Sequence, residues 1–152
     1  MSDRLSKRRL RLWIRLLRVT RLTEAQLREF LRLEHQTTLP RFDVMAALHR
    51  SGEALTMTQL SRLLLVSNSN TTVVVDRLEN DGLVVRHQSP VDRRIYRVAL
   101  TDAGRQHFEQ LATKHEEQVN TLFSGVTGDE LDVLDNLLQR LTPRRDADDN
   151  DG

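Results

Sequence analysis

The sequence predicts a mainly α-helical fold that carries one small β-hairpin, an α+β arrangement, on three observations. Helix-forming stretches alternate with capping and breaking residues over nearly the whole chain. Two β-forming runs, Leu83 to His87 and Ile95 to Leu100, flank a turn segment, Gln88 to Arg94, that holds Pro90, Asp92, Arg93 and Arg94. Apolar residues are densest in the terminal helices, on more faces than one chain of this size covers.

The elements follow in order. From Leu5 to about His35 there is neither Pro nor Gly, and leucines, Trp13, Ile14 and Val19 recur between arginines. Such a helix has one face for its own chain and another for a second subunit. Pro40 suits the first turn of a second helix, Arg41 to His49, whose inward set is Phe42, Met45, Ala46 and Leu48. Ser51-Gly52 ends it. Thr56-Met57-Thr58-Gln59 is a capping box that opens a short helix to Leu63 or Leu64. Val66-Ser67-Asn68 forms a turn, and a further helix runs from about Asn68 to Asn80, closed by Asp81-Gly82 as a left-handed cap. After the hairpin, Thr101 caps a long helix to about Phe123 despite Gly104 near its start. Ser124-Gly125 breaks that helix, and Thr127-Gly128-Asp129-Glu130 is a second capping box. The last helix bears Leu131, Leu134, Leu138 and Leu141 as a stripe, and Thr142-Pro143 ends it. The expected organisation is therefore an N-terminal dimerisation helix over 1–39, a core over 40–104, C-terminal dimerisation helices over 105–142 and a disordered polar tail over 143–152.

Composition narrows the function classes. With 38% apolar and 30% charged residues and a mean hydropathy of −0.50, a core exists but is lean, which also points to a homodimer. No apolar run is long enough to span a membrane, the arginine-rich start lacks a small-residue cleavage site, and a cytoplasmic location is expected. The absence of cysteine removes disulfides, thiolate zinc sites and thiol oxidation sensing. The net charge of +1 conceals an asymmetry: residues 1–21 carry eight Arg or Lys and one Asp, whereas the segment from Ala147 carries three Asp and no base. No Gly-rich phosphate loop, HExxH or G-x-S-x-G is present, so an enzyme is not expected, nor a cofactor. His107 and His115 lie eight residues apart on one helix, about 12 Å along it, too far to share a metal within one chain.

The helix pair and hairpin together read as a winged helix-turn-helix. On the 68–80 helix, Thr71, Val74, Val75 and Leu78 share the inward face. Asn68, Ser69, Asn70, Thr72 and Val73 occupy the other side of its N-terminal half. These short side chains suit base edges in a major groove, where Asn pairs with adenine and an apolar group meets the thymine methyl. Arg77 is placed to meet a phosphate, or to pair with Asp76 or Glu79. At the hairpin, Asp92 and Arg94 should share one side of the arm, so that the carboxylate holds the guanidinium ready for a minor groove. Arg93 would face the other way, toward a phosphate. Arg86 reads equally as structural or as a phosphate contact.

The run LTMTQLSRLLLVSNSNTTVVVDRLENDGLVVR, followed by SPVDRRIYRVALTDAGR, resembles the MarR family of bacterial transcription regulators. The matching features are DRLE-x-x-GLV-x-R, the D-x-R wing and the LT-x-x-GR helix start, over about 55–105. The resemblance implies a ligand-responsive regulator, most often a repressor. It also implies a dimer on a pseudo-palindromic operator in double-stranded DNA, with half-sites about one helical turn apart. It implies a pocket between the dimer helices and the lobes for a small aromatic or phenolic effector. Trp13, His35, Phe42, Asp43 and His49 are the candidates for that pocket; the two aromatics read equally as core, and the two histidines as surface. Where many members carry a polar residue after the Thr of the recognition helix, this chain has Val73, which removes a possible guanine contact. Two other readings stay open: a winged helix used only for protein contacts, which predicts an acidic or apolar wing, and a metal-responsive regulator assembled across a dimer.

Overall fold

The structure, a computed structural model, describes residues 2–142, so the expected tail over 143–152 lies outside the described residues. The elements are α1 (Ser2–His35), α2 (Leu39–Ser51), β1 (Leu55–Thr56), α3 (Met57–Leu64), α4 (Asn68–Asn80), β2 (Val84–Gln88), β3 (Tyr96–Leu100), α5 (Asp102–Leu122) and α6 (Gly128–Leu141). They form two compact units, one running to Gln118 and one beginning at Val119.

Local chemistry places most boundaries. Thr38 caps α2 by accepting from the Arg41 N–H (3.4 Å), and Pro40 stands in its first turn. The predicted capping boxes at Thr56/Gln59 and Thr127/Glu130 both form. Helix α4 closes in a Schellman motif: the Gly82 N–H donates to the Glu79 carbonyl (3.0 Å) and the Leu83 N–H to the Leu78 carbonyl (2.9 Å). This motif needs the left-handed φ of 73° that Gly82 supplies without a Cβ clash. Leu83 therefore finishes the helix cap rather than starting the strand, and β2 begins one residue later than its β-forming side chains suggest.

The hairpin is part of a three-stranded antiparallel sheet ordered β1-β3-β2, with Leu55 opposite Val98 and Val84 opposite Leu100. Strand β1 is invisible to a period-based reading because two residues contain no period, and Thr56 serves at once as strand and helix cap. The inward set of α2 also differs from expectation. Val44 and Ala47 are buried beside Phe42, Met45 and Leu48, whereas Ala46 is only half-buried. The helix is enclosed on several sides, so no single stripe marks its inner face.

The core joins the C-terminal half of α1 to the winged lobe. Leu31, Met45, Leu60, Leu78, Val44, Val75, Val84 and Val98 are all below 2% exposed, and Leu27, Phe108 and Leu111 close its margins. Gly104 is explained by a close approach: a Cβ there would stand 1.9 Å from the Leu83 carbonyl oxygen. The Thr101 hydroxyl stitches the same junction, donating to the Gly82 carbonyl (2.7 Å) and accepting from the Gly104 N–H (3.0 Å).

The ends contrast with this core. In α1, Leu5, Leu10, Leu12, Trp13, Ile14, Val19 and Leu22 are all exposed. In α6, no residue is buried, and Leu131, Leu134, Leu138 and Leu141 lie open.

Candidate nucleic-acid interface

Helix α4 is held to the lobe by its buried face and presents the other. Thr71, 1% exposed, accepts from the Ser61 hydroxyl (2.9 Å) and donates to the Ser67 carbonyl (3.0 Å), tying α4 to α3 through a buried hydroxyl pair. Both hydroxyls have partners, so their burial carries no desolvation penalty from unmet groups. The Ser67 side chain accepts from the Asn70 N–H (3.3 Å) and caps the helix. On the outer side Asn68, Ser69, Asn70, Thr72 and Val73 are all exposed, Val73 by 50%. The Thr72 hydroxyl donates to the Asn68 carbonyl (2.8 Å), leaving its methyl and an acceptor lone pair to face outward.

Arg77 takes neither predicted carboxylate. Asp76 pairs instead with Arg86, whose side chain is 25% exposed and whose Nε is buried without a partner. Arg86 is thus a strut between α4 and β2. Arg77 lines a basic cleft of about 390 Å³ with Arg28 and Arg32 of α1, Thr37, and Arg41 of α2. Arg41 is bound to Asp81 (2.6 Å) and Arg32 to Glu29 (2.7 Å). Arg28 and Arg77 have no partner among the described residues. The hydroxyl oxygen of Thr37 is buried there with no hydrogen-bond partner.

At the wing tip the Asp92–Arg94 contact forms, by a different route from strand alternation. Both residues lie in the loop, where Asp92 Oδ1 accepts from the Arg94 backbone N–H (3.0 Å) in an Asx-turn. The same carboxylate takes Arg94 Nε (3.2 Å) and Nη2 (3.2 Å), a two-point grip. The guanidinium holds the Asp92 carboxyl below the usual carboxylate range, helped by that backbone N–H. Asp92 is 33% exposed and Arg94 91%, so the acid is the anchored end and the base the presented one. The Ile95 N–H donates to the Asp92 carbonyl (3.0 Å), and Gln88 Nε2 donates to the Arg93 carbonyl (2.7 Å). The tip is thereby stiffened from within while the side chains of Arg93 and Arg94 point to solvent.

The five pocket candidates do not converge. Trp13 is 57% exposed on α1. His35 is half-buried, edge-on to Phe30 at 5.1 Å between centroids, with its Nε2 buried and unpartnered. Phe42 is buried and stacks on His115 at 4.3 Å, and burial lowers the His115 pKa. His49 is also half-buried, packing on Phe108 at 4.8 Å with its Nε2 3.3 Å from a Glu109 oxygen. Phe42 and His49 thus share one aromatic cluster. Asp43 faces elsewhere, into a cavity against α3 and α4, and its carboxyl is pushed up to about 6 by burial and, secondarily, by Glu24. Sequence reasoning missed Arg28, Thr37 and Arg41. Nothing in their spacing marks them; only the fold brings them beside Arg77. Among the described residues no three His, Asp or Glu side chains are grouped to hold a metal, and no described helix is long and apolar enough to cross a membrane.

Comparison with known proteins places this geometry. A sequence profile for the MarR family matches residues 35–95, from the end of α1 through the wing tip. The HTH-type transcriptional regulator YkoM of Bacillus subtilis (strain 168) is 37% identical over 107 residues, which span 70% of this chain and 69% of that protein. The HTH-type transcriptional repressor IacR of Pseudomonas putida is 30% identical over 101 residues, 66% of this chain and 60% of the relative. Among solved structures, a mutant MarR from Escherichia coli complexed with operator DNA is similar at a TM-score of 0.76 and 28% identity, over 87% of this chain and 94% of that one.

Proposed function

The chain belongs to the MarR family and is a DNA-binding transcription regulator rather than an enzyme, and from this footing we propose that it works as a homodimeric, effector-responsive repressor on a pseudo-palindromic operator. The observation that carries the reading is the pairing of a presented, carboxylate-gripped Arg94 with an exposed run of short polar and apolar side chains on α4. A pre-oriented guanidinium loses little rotamer entropy on entering a narrow minor groove. Asn68, Ser69, Asn70, Thr72 and Val73 would read base edges in the adjoining major groove, and Arg77 and Arg93 would take phosphates. Asp92 acts through Arg94. Val73 directs recognition at its position toward a thymine methyl rather than a guanine.

The exposed leucines of α1 and α6 support a dimer, since a second copy would remove them from water. Repression follows the IacR relative. A small aromatic or phenolic anion is the effector class best matched to the basic cleft, where Arg28 and Arg77 lack carboxylate partners and the Thr37 hydroxyl lacks any. A cytoplasmic location accompanies this role. The basic wing tip disfavours the protein-contact reading, which would leave Arg93 and Arg94 without a purpose.

The test is affinity for DNA upstream of the chain's own gene at fixed salt. Arg94→Ala should weaken specific binding by about 1–3 kcal/mol, whereas Arg77→Ala should weaken all sequences alike and reduce the salt slope by about 1. Unchanged affinity in Arg94→Ala would remove the wing from recognition. Equal affinity for unrelated DNA would leave a non-specific binder.

A further inference from the structure

A second cavity, of about 370 Å³, lies between α2 and the helix-turn-helix pair. Its wall is formed by Val44, Leu64, Val66, Val73 and Val74, with Pro40 at its edge, and one charged side chain enters it, Asp43. Among the described residues Asp43 has neither a hydrogen-bond nor an ion-pair partner. Glu24 of α1 adds a second negative charge close enough to be felt at the carboxyl, and no positive side chain lines the space. Pro40 and Val74 also edge the arginine-lined cleft, so two cavities of opposite character back onto the same two residues.

An apolar cavity with one unneutralised carboxylate selects its occupant. A hydrocarbon body gains by leaving water, and an ammonium group supplies the counter-charge that the fold omits. An anion meets repulsion from Asp43 and Glu24, while a neutral body leaves the carboxylate half-desolvated. We propose that this cavity binds a small organic monocation, an aryl- or alkylammonium whose apolar portion lies against Val44, Leu64 and Val66 and whose nitrogen meets Asp43. The carboxyl, at about 6, is ionised at neutral pH yet poorly compensated, as such a site requires.

The location gives the site a consequence. Asn70 and Val73 line the same cavity and belong to the outward set of α4. The occupant therefore touches the helix that reads DNA, and it would shift operator affinity through side chains common to both. This consequence rests on the proposed operator reading; binding of the cation does not.

Calorimetric titration of the full chain with 2-phenylethylamine at pH 7.5, set against the anion 3-phenylpropionate and the neutral 3-phenylpropanol, tests the assignment. The amine should bind saturably with one site per chain and exceed both analogues by at least tenfold. Asp43→Asn, which keeps the shape and removes the charge, should cost the amine tenfold or more and leave the alcohol unchanged. Glu24→Gln, outside the cavity wall, should cost the amine two- to threefold. Val74→Phe, which fills the space, should abolish amine binding while the variant's unfolding transition persists. Equal binding of amine and anion, amine affinity unmoved by Asp43→Asn, or no binding at millimolar concentration would each overturn the proposal. In a parallel operator titration, saturating amine should shift the affinity of the parent chain and not of Asp43→Asn. If the chain fails on every DNA while the amine series behaves as described, the operator reading falls and the cation site stands.

Discussion

The winged lobe and the terminal helices are built on the same apolar period, yet they finish differently. In the lobe helices, Leu60, Val75 and Leu78 reach 0% exposure within a single chain. In α6, leucines at equivalent spacing stay between 38% and 66% exposed, and the N-terminal half of α1 is similar. A 3.6-residue period states that a helix has an apolar face; it does not state what covers it. The lobe is covered by partners close in the chain: α3 and α4 follow within a few residues, and β2 and β3 fold back on them. Among the described residues the ends have no such neighbours in their own unit.

The largest effect that would sharpen this contrast comes from substituting one leucine in each region. Leu78→Ala should lower unfolding free energy by about 2–5 kcal/mol at every protein concentration, because it opens a cavity in a closed core. Leu134→Lys should leave the lobe's secondary structure intact and instead remove the concentration dependence of the midpoint, with a monomer in light scattering. If Leu134→Lys unfolds the lobe at high dilution, the two regions are one cooperative body and the contrast fails.

An intermediate effect lies at the strut between α4 and β2. Asp76→Ala strands Arg86, which is 25% exposed and already has an unmet Nε, and should cost about 1–2 kcal/mol in denaturant unfolding. Arg86→Met, which removes the charge with the pair, should cost less. Equal losses in the two variants would mean that the lost pair, and not the stranded charge of Arg86, sets the cost.

The smallest effect is in pH. Asp43 has its folded-state pKa raised from 3.8 to about 6, by burial first and Glu24 second. The folded chain then holds this proton more tightly than the unfolded one, so the contribution favours folding below about 3.8 and is lost as pH rises through about 6. Asp43→Asn should gain on the parent across that window and hold a constant advantage above it, on the order of 1 kcal/mol once solvent screening is allowed for. His115 runs the opposite way. Burial lowers its pKa below 6.5, so its contribution is full above that pH and is lost on acidification. Parallel unfolding curves for parent and Asp43→Asn from pH 4 to 7 would show that Asp43 is not desolvated.

What was legible in the sequence is what neighbours along the chain decide. Both capping boxes, the Schellman glycine, the outward polar run of α4 and the Asp92–Arg94 grip each depend on groups within a few residues of one another. Even there the route differs: strand alternation predicts the grip, yet an Asx-turn makes it, because the tip is loop and not arm.

The sequence by itself determined the order of the helices and of the two hairpin strands, most of their ends, and the polar face that α4 leaves exposed. Those follow from backbone hydrogen bonds and side-chain period, which are local quantities. Tertiary structure alone decided that Leu55 becomes a third strand opposite Val98, that Gly104 must lack a side chain under the Leu83 carbonyl, and that Asp76 serves Arg86 rather than Arg77. It alone joined Arg28 and Arg41 to Arg77 and turned Asp43 away from Phe42 and His49 into a cavity of its own. These are meetings between residues that no spacing rule connects: Arg41 and Asp81 lie 40 positions apart and 2.6 Å from each other. Which charges face one another, and which are left facing a cavity, is fixed only when the whole chain has packed.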